Sequence, residues 1–273
     1  MSIIQAILIA IVEGITEFLP VSSTGHMIIT SSMMKIQSSD FTKLFEISIQ
    51  LGAILAVIVL YWKKFFEFKN FRFYIKLIIG VLPALILGKL FSDKIDELLE
   101  SPLSVALSML IGGIILLFID NLFKSHTIVS ESGISNQNAF IIGLWQTIAM
   151  IPGVSRSAAS IIGGMQQKLN RDLAAEFSFY LAVPTMAAAT LYSLFLKEWH
   201  HDGIINKGYA LIMSTQQNVI AFIIGNVVAF IVAMLAIKFF IGYLQKHGFR
   251  VFGWYRIIVG IILLALLQAG FLQ

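Results

Sequence analysis

Long apolar runs separated by short polar stretches dominate this chain. Six of them read as membrane-crossing helices: residues 45–62, 77–91, 103–119, 173–195, 219–240 and 252–267. The run at 77–91 is short and predicts a kink at Pro83. Two further runs, 2–12 and 139–152, are too short to cross ~30 Å of hydrocarbon. The first continues into Pro20 and Ser-Ser-Thr-Gly, the second into Pro152 and Gly-Val-Ser-Arg-Ser-Ala-Ala-Ser. Such stretches break a helix. Broken backbone at membrane depth is tolerated only where protein or a wet cavity covers it. Both segments therefore read as re-entrant.

Composition sharpens the class. The chain has 273 residues, 58% of them hydrophobic and 12% charged. A soluble domain is about 45–50% apolar and about 25% charged. The mean hydropathy is +0.88. A net charge of +4 in such a protein marks cytoplasmic loops and implies no nucleic-acid partner. Lys63, Lys64, Lys69, Arg72 and Lys76 oppose Glu67 alone, and residues 245–250 form a second basic loop on the same side. Both termini and the first broken segment then face outside, while the second enters from the cytoplasm. Without cysteine there is no disulfide framework, thiol nucleophile or cysteine metal site. No Lys or Arg precedes Lys35, so the start lacks the basic region of a signal peptide.

The two halves answer one another in order. Pro20-Val-Ser-Ser matches Pro152-Gly-Val-Ser. Glu46, Ser48, Leu51 and Gly52 match Glu176, Ser178, Leu181 and Ala182. Gly80, Ala84 and Gly88 match Gly225, Ala229 and Ala233, and Gly113-Ile-Ile-Leu-Leu matches Gly260-Ile-Ile-Leu-Leu. Three spans per half is an odd number, so the second copy must be inverted. The expected fold is an all-α polytopic membrane protein of six transmembrane helices plus two re-entrant segments in two inverted repeats. The first repeat covers residues 1–121, a polar linker 122–138, and the second repeat 139–273. Broken helices in corresponding positions place a site near the midplane, where the breaks meet.

The candidate chemistry is concentrated in Glu13 to His26, EGITEFLPVSSTGH. An acidic residue in lipid costs roughly 2.5–3.5 kcal/mol even on the lenient insertion scale, so intramembrane acids mark sites. Glu13 and Glu17 are four apart on one helical face, where like charges repel. They need a cation, or one must be protonated. A divalent metal with oxygen ligands fits, since Mg²⁺ commonly binds through one or two carboxylates plus phosphate. The structural reading is a neutral Glu bonded to freed backbone. Ser22, Ser23, Thr24 and Gly25 offer hydroxyls and amides to an anion such as phosphate, or cap the next helix, or both. His26 beside them could act as acid, base or nucleophile. From the second break come Ser155, Arg156 and Ser157. Arg156 would grip phosphate in bidentate fashion or pair with Glu13, Glu17 or Glu176.

Glu46 and Gln50 are lesser candidates at a span start, and Glu176 reads as structural. His200, His201 and Asp202 read as loop residues, and the Phe-rich stretch 65–74 as an interfacial segment. No Walker loop, HExxH or dinucleotide fingerprint is present. Three routes stay open for a phosphatase: attack by Ser23, by His26, or by a water that His26 activates. A serine next to His26 is the first choice. A transporter or flippase of a polyprenyl phosphate lipid is the rival, because inverted repeats are also its hallmark. A channel or scaffold would show charge rings or a continuous polar helix face, and neither is seen.

At EGITEFLPVSSTGHM and PGVSRSAAS the chain resembles the undecaprenyl-diphosphate phosphatase family, the bacterial enzymes linked to bacitracin resistance. The resemblance extends over essentially the whole chain, including FEISIQLGAILAV and EFSFYLAVP. It implies hydrolysis of the C55 isoprenoid diphosphate to the monophosphate and phosphate, recycling the carrier of cell-wall synthesis. It also implies a divalent metal, Mg²⁺ or Ca²⁺, and work at the outer side of the bacterial cytoplasmic membrane. Carried onto this chain, the acidic motif is Glu13 and Glu17, the hydroxyl motif Ser22 to His26, and the second motif Ser155 and Arg156. Catalysis would fall to Glu17, Ser23, His26 and Arg156, with Ser22, Thr24, Gly25, Ser155 and Ser157 beside Arg156 on the phosphates. Ala158 and Ala159 stand where Gly-Ala is expected in many relatives, which removes no functional group. The lipid diphosphate and membrane lipid are the implied partners, and a homodimer stays open.

Overall fold

In hydrocarbon each unpaired backbone amide or carbonyl costs several kcal/mol, so apolar runs must close their own hydrogen bonds as helices. The computed structural model describes residues 1–99, 101–201 and 204–270. In chain order its helices are α1 (Ile3–Thr16), α2 (Ser23–Met33), α3 (Asp40–Ser48), α4 (Gln50–Leu60), α5 (Trp62–Phe65), α6 (Phe71–Leu90), α7 (Ser92–Leu99) and α8 (Pro102–Leu122). Then follow α9 (Asn136–Thr147), α10 (Arg156–Gln166), α11 (Arg171–Phe195), α12 (Gly208–Met213), α13 (Gln216–His247) and α14 (Arg250–Gln268).

Six helical runs are long and apolar enough to cross a membrane: α3 with α4 as one run Asp40–Leu60, α6, α8, α11, α13 and α14. Their outward faces carry large apolar side chains, such as Ile111, Ile114 and Phe118 on α8 and Ile258, Ile261 and Ile262 on α14. Lipid satisfies such faces and water does not. The protein is a multi-pass membrane protein. Pro83 and Pro184 lie inside α6 and α11.

The short runs behave differently. α1 stops at Thr16 and α2 starts at Ser23, while α9 stops at Thr147 and α10 starts at Arg156. The sequence suggests only weak continuation through 161–165, but α10 is a full eleven-residue helix, buried from Ser157 to Met165. Its Gly163 and Gly164 press on Trp145 and Ala174, and small residues let it slot between α9 and α11. The stretch expected as a polar loop at 197–217 holds an antiparallel hairpin, β1 (Glu198–His201) and β2 (Ile204–Lys207), followed by α12. Trp199 anchors it, buried, with its indole N–H donating to Ser193 O at 3.0 Å. Asp202 lies outside the described residues. Lys76, counted with the basic loop, sits inside α6. It is buried against Glu131, with Nζ 2.7 Å from Oε1.

Helix partners follow a pattern. α1 packs on α13 and α9 on α6, α8 pairs with α14, and α4 meets both α13 and α11. Close approach depends on residues without bulk. A Cβ on Gly14 would lie 2.7 Å from Val232 Cβ. One on Gly143 would strike the Gly80 carbonyl, and one on Gly113 would lie 2.9 Å from Gly253 O. Gly143→Val should therefore force α9 off α6. A loss of about 1–3 kcal/mol is expected for such overpacking, read as a lower thermal midpoint in detergent. An unchanged midpoint would show that α6 and α9 can separate freely.

Candidate active site

Both breaks are built on the same device. Ser22 (φ 72°, ψ 93°) and Ser155 (φ 77°, ψ 116°) are non-glycine residues at positive φ. Each caps the helix that follows: Ser22 Oγ accepts from Gly25 N at 3.3 Å and Ser155 Oγ from Ala158 N at 3.2 Å. Such conformations cost about 1–3 kcal/mol and cluster at functional sites. The turns and the first residues of α2 and α10 border one cavity of about 130 Å³. Glu17, Ser22, Ser23 and Thr24 line it from the first half, and Ser155 and Arg156 from the second, with Gln50 and Met186 closing it.

Glu17 is the centre of this arrangement. Its Oε2 accepts a 2.6 Å hydrogen bond from Ser23 Oγ. Its Oε1 takes Arg156 Nη2 at 3.0 Å and Nε at 3.3 Å. Both side chains are largely buried, so the pair is screened little by water. Arg156 is held further by the Ser178 carbonyl, 3.1 Å from Nη1, and lies 5.7 Å from the ring centre of Phe18. Ser178 is in turn bonded to Ser160, Oγ to Oγ at 2.7 Å. The ion pair considered as the alternative role for Arg156 is thus formed, and with Glu17.

Other sequence candidates sit elsewhere. Glu13 is completely buried one turn earlier, and neither of its carboxyl oxygens has a hydrogen-bond partner. Gly25 brings α2 against α8; a Cβ there would lie 2.9 Å from Met109 Sδ. Ser157 is buried and donates to Leu19 O at 2.8 Å, stitching the second break to the first. His26 does not touch Ser23. Its Nδ1 lies 2.7 Å from Ser22 O and its Nε2 2.7 Å from Tyr255 Oη. A carbonyl can only accept, so Nδ1 carries a proton and neutral His26 accepts from Tyr255 through Nε2. The expected Ser23–His26 pairing is therefore replaced by Ser23–Glu17. Gln50 lines the cavity; Glu46 is buried away from it, its Oε1 unpartnered. Glu176 is remote, accepting from Tyr180 Oη at 3.4 Å.

Two contributors were invisible to sequence reasoning. Tyr255 stacks on His26 with ring centres 5.5 Å apart, and Arg256 is completely buried among carbonyls of both breaks. Both follow the basic loop at 245–250 and read there as ordinary residues at the start of a span. Only the inverted-repeat argument, which brings distant segments together, could have pointed at α14.

Comparison with known proteins fits this geometry. A family model described as Bacitracin resistance protein BacA matches residues 6–262. The chain belongs to this family. It is 60% identical over 264 residues to a Flavobacterium psychrophilum protein named Undecaprenyl-diphosphatase, covering 97% of this chain and 95% of that one. A Bdellovibrio bacteriovorus protein of the same name is 50% identical over 272 residues, covering 99% and 98%. One from Aquifex aeolicus is 43% identical over 260 residues, covering 94% and 96%. The match to the family model takes in both breaks and α14 up to residue 262.

The donor set suits a hard cation. Glu13 supplies a buried carboxyl with no partner, Glu17 a second, and the turns add hydroxyl oxygens. Among the described residues no group of three or more His, Cys, Asp or Glu is gathered for a metal. A divalent ion here would need substrate oxygens to complete its shell. Removing Arg156 should leave Glu17 buried without its cation. Arg156→Ala is expected to lower stability by about 3–5 kcal/mol, and Glu17→Gln in the same chain should recover part of that loss in detergent unfolding. A loss in the double variant equal to the sum of the Arg156→Ala and Glu17→Gln losses would show that the pair contributes no coupling.

Proposed function

We infer that this protein hydrolyses undecaprenyl diphosphate to the monophosphate and inorganic phosphate; its relatives carry the name Undecaprenyl-diphosphatase. The observation that carries the reading is the Ser23–Glu17–Arg156 relay: a buried hydroxyl 2.6 Å from one carboxylate oxygen and a guanidinium on the other, facing one cavity. Transport needs a cationic clamp but no hydroxyl held on a base. The cavity belongs to a multi-pass membrane protein, where an isoprenoid tail can lie against the apolar helix faces.

In this mechanism Ser23 Oγ attacks the terminal phosphorus as its proton passes to Glu17 Oε2. The anhydride P–O bond breaks, the lipid monophosphate leaves, and the proton held by Glu17 goes to it. Water then attacks the phosphoserine, giving a proton back through Glu17 while Ser23 regains its hydroxyl and phosphate is released. Arg156 neutralises phosphoryl oxygens as charge shifts toward the leaving group. Thr24 and Ser155 offer hydroxyls to the same oxygens, and Gln50 an amide. Glu13 and Glu17 are the carboxylates that would hold Mg²⁺ or Ca²⁺, which when bound supplies positive charge to the diphosphate. His26 is assigned to holding the Ser22 carbonyl, and through it the turn that presents Ser23.

The wider architecture is proposed on the same footing. The halves 1–121 and 139–273, joined by 122–138, form an inverted duplication with two re-entrant segments. The equivalent serine caps and the corresponding pairings α1–α13 and α9–α6 support it. The segments carrying Lys63, Lys64, Lys69, Arg72, Lys246 and Arg250 face the cytoplasm by the positive-inside rule. The diphosphate then arrives from the outer side of the cytoplasmic membrane.

Phosphate release from a polyprenyl diphosphate by the purified protein, with and without EDTA, tests the reading. Metal-dependent release is expected, and Glu17→Gln should lower it by about 10²–10⁴-fold. Ser23→Ala should lose phosphoserine trapping on acid quench. Arg156→Lys should fall steeply, because an ammonium cannot reproduce the fork. Lipid binding without phosphate release would instead make the protein a head-group carrier. Wild-type rates in Ser23→Ala would hand the attack to water.

A further inference from the structure

A cation completely removed from solvent ordinarily finds a carboxylate, because leaving it alone in a low dielectric is costly. Arg256 has none among the described residues. Among the described residues its hydrogen bonds go only to backbone. Nη1 donates to Pro20 O at 3.3 Å and Val154 O at 2.8 Å. Nη2 donates to Gly153 O at 2.8 Å and Ser108 O at 3.1 Å, and Nε to Met109 O at 3.4 Å. A guanidinium has five N–H donors in a fixed fork, and all five are used.

The acceptors explain the arrangement. Pro20 O, Gly153 O and Val154 O lie in the two breaks, where no helical amide takes them. Pro20 is two residues before Ser22, and Val154 immediately precedes Ser155. The two turns that line the cavity are thus tied to one planar group. Ser108 and Met109 carbonyls reach it because the next turn of α8 has Gly112 there, where a Cβ would collide with Nη2. An ammonium brings three donors on a different stem and would leave carbonyls unpaired.

We propose that Arg256 is the positioning residue of the active site, fixing the first and second breaks in one register through the carbonyls of Pro20, Gly153 and Val154 so that Ser23, Glu17 and Arg156 meet. It touches neither substrate nor the reacting atoms. It acts on the rate through the turns it holds. The consequence for catalysis rests on the phosphatase reading; the clamp itself does not.

The test separates the two. Hydrogen exchange is measured on the full chain in detergent for Arg256→Lys and for Gly112→Ala, which keeps the arginine but crowds its fork. Amides of residues 18–25 and 153–158 should exchange about ten-fold faster in both variants, rising together, while the rest of α8 and α14 keep their protection. Phosphate release is measured alongside. A fall in kcat of about 100-fold with KM changed less than about three-fold is expected of misplaced reacting groups. Faster exchange confined to α14 and α8, with the breaks as protected as before, would reduce Arg256 to a packing residue. So would an unchanged kcat beside an active wild type. A rise in KM with kcat intact would make it a substrate contact. If wild type released no phosphate, the exchange data alone would still decide whether the clamp exists.

Discussion

Everything in this structure turns on backbone that stops being helical inside the protein. Four short helices end or begin at two turns, and each end frees amides and carbonyls that its own helix cannot take. The chain answers with its own groups. Serine hydroxyls at positive φ take amides of the next helix, Ser157 ties Leu19 O, and one buried guanidinium gathers three carbonyls of the breaks. The groups that satisfy the breaks also shape the cavity between them. Backbone satisfaction and site construction are here one problem.

Electrostatics gives the site its asymmetry. Glu17 carries the load on both sides, a hydroxyl on one oxygen and a guanidinium on the other. Arg156 offsets that charge, while both carboxyl oxygens of buried Glu13 are without a hydrogen-bond partner. A buried polar group without partners is uncommon in a settled fold and is explained by a ligand or a proton. Two acids on one helix face thus have different environments: Glu17 is bonded on both oxygens, Glu13 on neither.

Much of this was legible in the sequence, and the reason is contrast. Charges are so sparse in the apolar runs that spans stand out by length, and Pro20 and Pro152 mark the stops. Glu17, Ser23 and Arg156 are conspicuous as polar groups in hydrocarbon. Partner choice was not legible. Which side of α2 meets Glu17 depends on the rotation of that helix after a turn whose φ is unusual for serine, and spacing alone does not report it. Arg256 was missed because an arginine after a basic loop looks like a snorkelling residue. The hairpin at 198–207 was missed because its short polar strands show no alternation strong enough to separate them from loop. The weak apolar stretch after Ser160 hid a helix whose small residues are chosen for tight fit and not for hydrophobicity.

The clamp also has a meaning in time. Arg256 and the Pro20 carbonyl it holds are 236 residues apart in the chain. The first turn is synthesised and inserted long before the helix that secures it, and the second turn waits as well. During that interval the relay residues exist without a fixed register. Maturation of the site is thereby coupled to insertion of α14. A chain cut before α14 would keep Glu17, Ser23 and Arg156 but lose the group that joins the carbonyls of Pro20, Gly153 and Val154.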